Sequence, residues 1–426
     1  MGHGLILAAP ASGSGKTTIT LALLRLLSRR DVAVRGAKSG PDYIDPGFHR
    51  AACGVPCVNL DAWAMTEARL RQLSAGDGLL IIEGAMGLFD GAPPDNRGAV
   101  ADLARALSLP VVLVVDAGRM SGTVAALVHG FATYDPQVPI AGIILNKVGS
   151  HRHERMLRKA LAPSGLPVLG CLHREPRLDL PSRHLGLVQA GENLDLDVFL
   201  DFAADQLERS LDTETLCDLA APLPDSTTVH RPPPPAQVIA MAQDEAFGFS
   251  YAHQVADWHA TGAELCLFSP LNDDPVPEAD FVFLPGGYPE LHAAHLAQCG
   301  TFLSSLRKAS QNTDIYGECG GYMVLGDALT DAEGATHAMA GLLRLETSFA
   351  RRERHLGYRH LTVSHGSLAG RWMGHEFHYA TTVHAEGVPL FEAEDAEGTR
   401  LPPMGLISGR VQGSFAHVID PAAPDT

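Results

Sequence analysis

Basic charge is scarce in this chain. Its 426 residues carry 32 Lys+Arg against 49 Asp+Glu, a formal net charge of −17. Nucleic acid and anionic membranes both need a basic footprint, so neither is an expected partner, although a local basic pocket stays compatible with that balance. Long hydrophobic runs are missing as well. None approaches the roughly 20 apolar residues of a membrane span. The first fifteen residues hold no Lys or Arg and break at Pro10, so a secretory signal is not expected. Cysteine is sparse and odd in number, with 7 scattered along the chain. That excludes a disulfide scaffold and points to a reducing cytoplasm. What the chain has is core-forming material: 46% hydrophobic and 19% charged residues rule out wholesale disorder. At about 150 residues per domain the length suggests three domains, and two large ones fit as well.

The composition shifts between about Leu211 and Gln237, which is Asp/Thr-rich and then Pro-rich, ending in Pro232-Pro233-Pro234-Pro235. Four prolines favour an extended spacer and continue neither a helix nor a central strand. The expected organisation is a domain at 1–215, a linker at 216–236 and a domain at 237–426. Apolar runs at Gly4–Ala9, Leu79–Ile82, Val111–Val115 and Ile140–Leu145 suit strands buried on both faces of a parallel sheet. A further strand is expected at Val32–Ala37, with helices at Thr17–Arg29 and Val100–Leu107. After the linker, Val238–Ala242, Glu264–Phe268, Phe281–Leu284 and Asp314–Tyr316 repeat the style. Two α/β domains, each on a parallel sheet, are the result.

The first strand runs into Ala9-Pro10-Ala11-Ser12-Gly13-Ser14-Gly15-Lys16-Thr17-Thr18 and then a helix. A Gly-rich turn points backbone N–H groups into a concavity, and the helix N-terminus adds positive dipole. Lys16 can reach the outer phosphates and the Thr17 hydroxyl can join a Mg²⁺ shell. Pro10 stands where the common pattern has Gly, so the loop is a divergent phosphate-binding loop. Two acidic clusters follow at strand ends, Gly40-Pro41-Asp42-Tyr43-Ile44-Asp45-Pro46 and Glu83-Gly84-Ala85-Met86-Gly87-Leu88-Phe89-Asp90-Gly91. Ligands bind outside the carboxyl ends of open parallel sheets, and carboxylates there can hold Mg²⁺. An isolated Asp beside Gly or Pro is more often a turn residue; two clusters in the same layer as a phosphate loop reverse that preference. Asn146-Lys147 ends another strand and resembles a base-recognition element.

In the second part, Gly317-Glu318-Cys319-Gly320-Gly321 lies between a strand and an apolar helix. Small neighbours permit the strained elbow that exposes a nucleophile, and the helix N-terminus is expected to favour thiolate. Pro285-Gly286-Gly287-Tyr288 after the strand at Phe281–Leu284 offers backbone N–H groups for an oxyanion hole. His417, in Gly413-Ser414-Phe415-Ala416-His417, offers a general base. His375-Glu376-Phe377-His378 is one residue short of a zinc-protease spacing and does not by itself make a metal site. The basic run Arg351-Arg352-Glu353-Arg354-His355 reads as a solvated surface, with an anionic substrate as the alternative it could face.

The ordered set SGSGKTT, SGPDYIDP, EGAMGLFDG, LPGGYPE, ECGGYMVLG, HEFHY and GSFAH resembles the cobyrinic acid and hydrogenobyrinic acid a,c-diamide synthase family, from Gly4 to about His417. The resemblance implies an N-terminal domain similar to dethiobiotin synthetase and a C-terminal class I glutaminase. It implies ATP- and Mg²⁺-dependent amidation of the a and c acetates of a corrin-ring polycarboxylate, with L-glutamine as nitrogen donor. Cys319 and His417 would release ammonia, with Gly287 and Gly320 as oxyanion donors. Gly13, Ser14, Gly15, Lys16, Thr17, Thr18 and Asn146 would bind ATP. Lys38 would join Lys16 in neutralising phosphate, and Asp45 would share in catalysis. Thr17, Asp45, Glu83 and Asp90 would hold Mg²⁺, while Asp42 and Tyr43 would position the reacting carboxylate. A homodimer is left open. The alternatives are amidation of other corrin side chains, as in cobyric acid synthase, or a P-loop switch ATPase with a non-catalytic second domain. Many Cys-nucleophile glutaminases carry a Glu two residues after the His; here that position is Ile419. The expectation is therefore a Cys319–His417 dyad oriented by a backbone carbonyl or a distant group such as Glu376, with Asp420 facing away.

Overall fold

The computed structural model describes all residues except 1, 180–181, 184–185, 188, 193–194, 226–228, 230, 365 and 424–426. The chain divides into two units, Met1–Val229 and His230–Thr426. Part of the Pro-rich segment, residues 226–228 and 230, lies outside the described residues.

In the first unit, strands and helices alternate: β1 (His3–Ala8), α1 (Lys16–Arg29), β2 (Val34–Ser39), α2 (Asp45–Cys53), β3 (Val58–Leu60), α3 (Glu67–Ser74), β4 (Leu79–Glu83), α4 (Val100–Leu107), β5 (Val111–Asp116), α5 (Thr123–Tyr134), β6 (Ile140–Val148), α6 (His151–Leu161) and β7 (Val168–His173). A short hairpin of β8 (Ser182–Arg183) and β9 (Gly186–Leu187) follows, then α7 (Leu196–Ser210), α8 (Thr213–Asp218) and β10 (Ala221–Pro222). The sheet runs β3-β2-β4-β1-β5-β6-β7, all parallel, and β10 pairs antiparallel with β1. Strand β4 is buried throughout, as a strand covered on both faces must be. The chain leaves β1 toward β2 on one side and later returns to β5 on the other. That reversal opens a crevice at the carboxyl end of β1, where the phosphate-loop sequence sits. Past β10, Leu223 N–H donates to the Gly2 carbonyl, and its side chain fills the space a Cβ on Gly4 would need, 2.7 Å away. Residues up to Leu223 are thus built into the first sheet.

The second unit has its own parallel sheet from β11 (Val238–Ala242), β12 (Glu264–Phe268), β13 (Phe281–Leu284) and β14 (Asp314–Glu318), with helices α9 (Ala252–Ala260), α10 (Ala293–Leu296), α11 (Gly300–Ala309) and α12 (Gly320–Leu325). There follow β15 (Ala328–Thr330), β16 (Thr336–Ala338), β17 (Arg344–Ser348), β18 (His355–Val363), β19 (Gly370–His378), β20 (Thr381–Glu386), β21 (Glu392–Glu394), β22 (Leu406–Ser408), β23 (Val411–Ser414) and β24 (His417–Pro421). The main sheet runs β12-β11-β13-β14-β23-β22. Two four-stranded sheets, β16-β15-β17-β20 and β21-β18-β19-β24, accompany it. Strand β14 runs two residues beyond the expected Tyr316, which brings Glu318 into the ladder opposite Ser414. Among the described residues, no helix is long and apolar enough to cross a membrane.

Candidate active site

The first unit carries a phosphate-type site at the carboxyl end of β1. Gly15 precedes α1 with φ 84°, a conformation glycine adopts without a Cβ penalty. Its Cα is also crowded: a Cβ would lie 2.2 Å from Asn146 Nδ2. Asn146 at the end of β6 donates to the Ser14 carbonyl (2.9 Å), and Lys147 donates to the Gly13 carbonyl (2.7 Å) and to Asp116 Oδ2 (2.9 Å). The loop is therefore held from its back by two residues of β6. A cavity of ≈ 510 Å³ opens beside it, lined by loop residues 10–14 together with Asp116, Arg119, Lys147 and Arg174. Asp116, Arg119 and Arg174 carried no signal in the sequence, because each is a lone polar residue at or just after a strand end.

Glu83, with no exposure, is the centre of the acidic cluster. Its Oε1 accepts from the Thr17 hydroxyl and from Lys38 Nζ (2.8 Å), and its Oε2 accepts from His49 Nε2 (2.7 Å). Lys38 also donates to Asp45 Oδ2. The two carboxylates, from the ends of β4 and the start of α2, thus share one ammonium. Burial works against charge on Lys38, but Asp45 and Glu83 outweigh it and hold its pKa above that of a free lysine. Burial likewise disfavours charge on Glu83, yet Lys38 and His49 hold it below the usual carboxylate range. Asp45 is pushed up to about 7 by burial and by Asp42. Lys16, lowered to about 8 by burial and by Lys38, donates to the Met86 carbonyl (2.6 Å).

Other expected residues have local bonds. Asp42 Oδ1 accepts from the N–H groups of Ile44 and Asp45 (2.8 and 3.0 Å), and so shapes the turn into α2. Exposed Asp90 accepts from Gly87 N–H (3.0 Å) and closes its own turn. Thr18 donates to the Leu178 carbonyl (3.3 Å), and Tyr43 is half-buried beside Asp42. His49 was missed by the sequence reading. It lies one helical turn after Asp45 on α2, a spacing that puts both on one face. Because Glu83 can only accept, His49 Nε2 carries the proton and Nδ1 faces the Cys57 thiol (3.3 Å).

The second unit carries a sharp strand-to-helix turn at Cys319. Cys319 lies between β14 and α12 with φ 45° and ψ −100°, a strained conformation of the kind that aims a side chain out of a sheet. The glycines are there for want of room. A Cβ on Gly321 would sit 2.0 Å from the Leu284 carbonyl, and one on Gly287 2.1 Å from the Ala246 carbonyl. A Cβ on Gly286 would sit 2.4 Å from His417 Cε1 and 3.3 Å from Cys319 Cβ. Gly286 therefore lies against both the cysteine and the histidine. The Gly320 Cα approaches Gly287 N closely enough that a Cβ would be 2.9 Å away.

Two expectations change here. The helix N-terminus was to favour thiolate. Instead, burial pushes the Cys319 thiol well up, and the carboxylates of Glu290, Glu318 and Glu376 add to it. A six-residue helix has too short a dipole to win against that. A thiol so placed needs a base before it can act as a nucleophile. The second concerns Glu376, considered as a partner of His417. It is instead engaged by Arg359 (Nη2, 2.7 Å) and His378 (Nε2, 3.0 Å). The carboxylate beside His417 is Glu318, with Oε2 3.3 Å from Nδ1. Strand β24 pairs Val418 with Gly374 and Asp420 with Met373, so Ile419 is an extra residue that bulges the ladder. His355, Glu376 and His378 do bring three ligand-type atoms within 4.8 Å. Arg359, bonded to the same carboxylate, already supplies a cation there.

Comparison with known proteins agrees with this division. The CobQ/CobB/MinD/ParA nucleotide binding domain matches residues 5–188, and the CobB/CobQ-like glutamine amidotransferase domain matches residues 238–423. The chain is 53% identical to a hydrogenobyrinate a,c-diamide synthase of Brucella anthropi, over 98% of both chains. It is 52% identical to that of Brucella suis biovar 1 over 98% of both chains. With that of Rhizobium meliloti it shares 51% identity, over 98% of this chain and 99% of the relative.

Proposed function

The chain belongs to the hydrogenobyrinate a,c-diamide synthase family, and from that membership we propose how its two sites divide the work. The enzyme is a glutamine-hydrolysing, ATP-dependent amidoligase that converts the a and c acetate carboxylates of hydrogenobyrinate to amides, in cobalamin biosynthesis. The observation that carries the reading is the presence in one chain of a phosphate loop with a buried Lys38–Asp45–Glu83 cluster and of a Cys319 elbow against His417.

In the glutaminase, Cys319 Sγ attacks the side-chain amide carbon of glutamine. His417 takes the thiol proton and passes it to the departing ammonia. Backbone N–H groups of Gly287 and Gly320 face the oxyanion, and water hydrolyses the γ-glutamyl thioester. In the first unit a carboxylate oxygen of the substrate attacks the γ-phosphorus of ATP, ADP leaves, and ammonia then displaces phosphate from the acyl phosphate. Carboxylate is a poor electrophile, and the acyl phosphate supplies the leaving group it lacks.

Gly13, Ser14, Gly15 and Thr18 form the loop and helix start that hold the phosphates. Lys16 and Lys38 neutralise their charge, and Asn146 fixes the loop. Thr17, Asp45 and Glu83 are hard oxygen donors of the kind Mg²⁺ takes, Thr17 bonded to Glu83 and both carboxylates paired with Lys38, with exposed Asp90 nearby in sequence. When bound, Mg²⁺ supplies further neutralisation of the transferring phosphoryl group. Asp42 and Tyr43, at the turn into α2, position the reacting carboxylate. The substrates are small molecules, neither nucleic acid nor a membrane is needed, and the cytoplasm is the fitting compartment. A homodimer is compatible with this scheme.

The test is mass spectrometry of ring products after incubation with ATP and glutamine. Two amides added to hydrogenobyrinate are expected. A gain on neither hydrogenobyrinate nor cobyrinate would overturn the reading. A second expectation concerns Gly286. Substitution Gly286→Ala places a methyl 2.4 Å from His417 Cε1, so the ring must move. Misplacement of a reacting group by about 1 Å costs about 10²-fold. We expect that loss in glutamine-driven amidation, with ammonium-driven amidation unchanged, in initial rates measured with each nitrogen source.

A further inference from the structure

We infer that Glu318, the residue immediately before the nucleophile, is the positioning carboxylate that orients the His417 imidazole through Nδ1. The inference rests on the Cys319–His417 reading above and completes it with a residue that sequence spacing does not suggest.

Glu318 is the last residue of β14 and its side chain is 4% exposed. One oxygen is anchored twice: Oε1 accepts from Val418 N–H (2.9 Å) and from the Tyr316 hydroxyl (3.1 Å). The first of these bonds ties the carboxylate to the residue directly after His417. The other oxygen, Oε2, is left 3.3 Å from His417 Nδ1. The Cε1–Nε2 edge of the ring lies over Gly286 beside Cys319 Cβ. The ring thus has one edge on the nucleophile and the other on Glu318. A carboxylate accepts only, so it fixes the tautomer with the proton on Nδ1 and leaves the Nε2 lone pair for the thiol. The 3.3 Å separation puts Oε2 within reach of Nδ1, and catalytic hydrogen bonds of this kind often tighten as the reaction proceeds.

The other groups near the ring do not fill this role. His375, opposite His417 in the ladder, is held neutral, its pKa lowered to about 3 by burial and by His417. Glu376 serves Arg359 and His378. The ordinary glutaminase carboxylate lies two residues after the histidine; here that position is Ile419, fully buried, and the carboxylate comes from the strand of the cysteine.

The test is a double-substitution cycle on the full-length enzyme, reading glutamate release from glutamine, with ammonium-driven amidation as the check on folding. Glu318→Gln keeps the volume and an acceptor for Val418 N–H, but its amide N–H₂ can present a donor to Nδ1 and favour the wrong tautomer. We expect kcat to fall about 10²–10³-fold with KM for glutamine within about twofold. In a His417→Ala background the same substitution should cost less than about threefold, because a residue acting only through the histidine has nothing left to orient. A merely structural role would cost the same in both backgrounds, and that result overturns the inference. Should Glu318→Gln not fold, Tyr316→Phe removes one anchor. Its few-fold loss must likewise vanish in the His417→Ala background, and persistence overturns the inference. Asp420→Asn is expected to leave both rates unchanged; a loss as large as that of His417→Ala would give Asp420 the role instead. If the unsubstituted enzyme released no glutamate at all, the Cys319–His417 reading itself would fail before the cycle was begun.

Discussion

Replacing Cys319 with Ala is expected to abolish glutamine-driven amidation and to leave ammonium-driven amidation near its original rate. The expected loss with glutamine is at least about 10³-fold, the scale seen when a covalent nucleophile is removed from a hydrolase site. Alanine is smaller than cysteine and keeps the backbone. The strained φ of 45° is tolerated by the surrounding glycines and by bonds from Cys319 N–H to Ser414 (2.8 Å) and from Met323 N–H to Cys319 (3.1 Å). The substitution therefore removes the sulfur without taking down the elbow. Amide formation is followed by mass per ring with each nitrogen source. Failure of concentrated ammonium to restore turnover in a folded variant would show that the two sites do not divide the chemistry as proposed.

The second large effect is expected at the first site. Asp45→Asn and Glu83→Gln keep side-chain volume and replace each ionisable carboxylate paired with Lys38 by a neutral amide. We expect amidation to fall about 10²–10³-fold from either nitrogen source, the cost of deleting one preorganised electrostatic contact in a buried site. Glutamate release by the second unit should be much less affected. Glu83 is the harsher position, because Thr17, Lys38 and His49 all bond to it. Removing one partner from a buried ion pair costs about 3–5 kcal/mol of stability, and Asp45→Asn is the cleaner variant because Glu83 still pairs with Lys38 and keeps its bonds to Thr17 and His49. Full ammonium-driven turnover in both would place the metal and phosphate chemistry elsewhere.

Much of this was legible in the sequence, for identifiable reasons. Strands such as β11, β12 and β13 are short apolar runs ended by turn residues, and their observed limits match the expected ones. The phosphate loop and the Cys319 elbow are contiguous, and contiguous motifs carry their own geometry. What was hidden depends on residues brought together across the chain. His49 meets Glu83 over a separation of 34 residues, and Glu318 meets the Val418 amide over 100. No local pattern announces either pairing. Glu318 was also masked by its neighbour: attention falls on the cysteine of such an elbow, and the residue before it was expected beyond the strand end rather than inside the ladder. The two small four-stranded sheets went unread because strands such as β20 are largely exposed and lack the continuous apolar run that marks a buried strand. The thiolate expectation failed because a helix start was weighed without the three carboxylates that the fold packs around it.

The return of the chain to β1 has a consequence for how such an enzyme could be divided. Ala221–Pro222 pairs with β1, and Leu223 plugs the space above Gly2 and Gly4. A genetic cut between the two activities has therefore to fall after Leu223. Made earlier, at the end of α7 for instance, it would strip an edge from the very strand that delivers the phosphate loop, and the ligase half would be born with an unfilled groove beside its first strand.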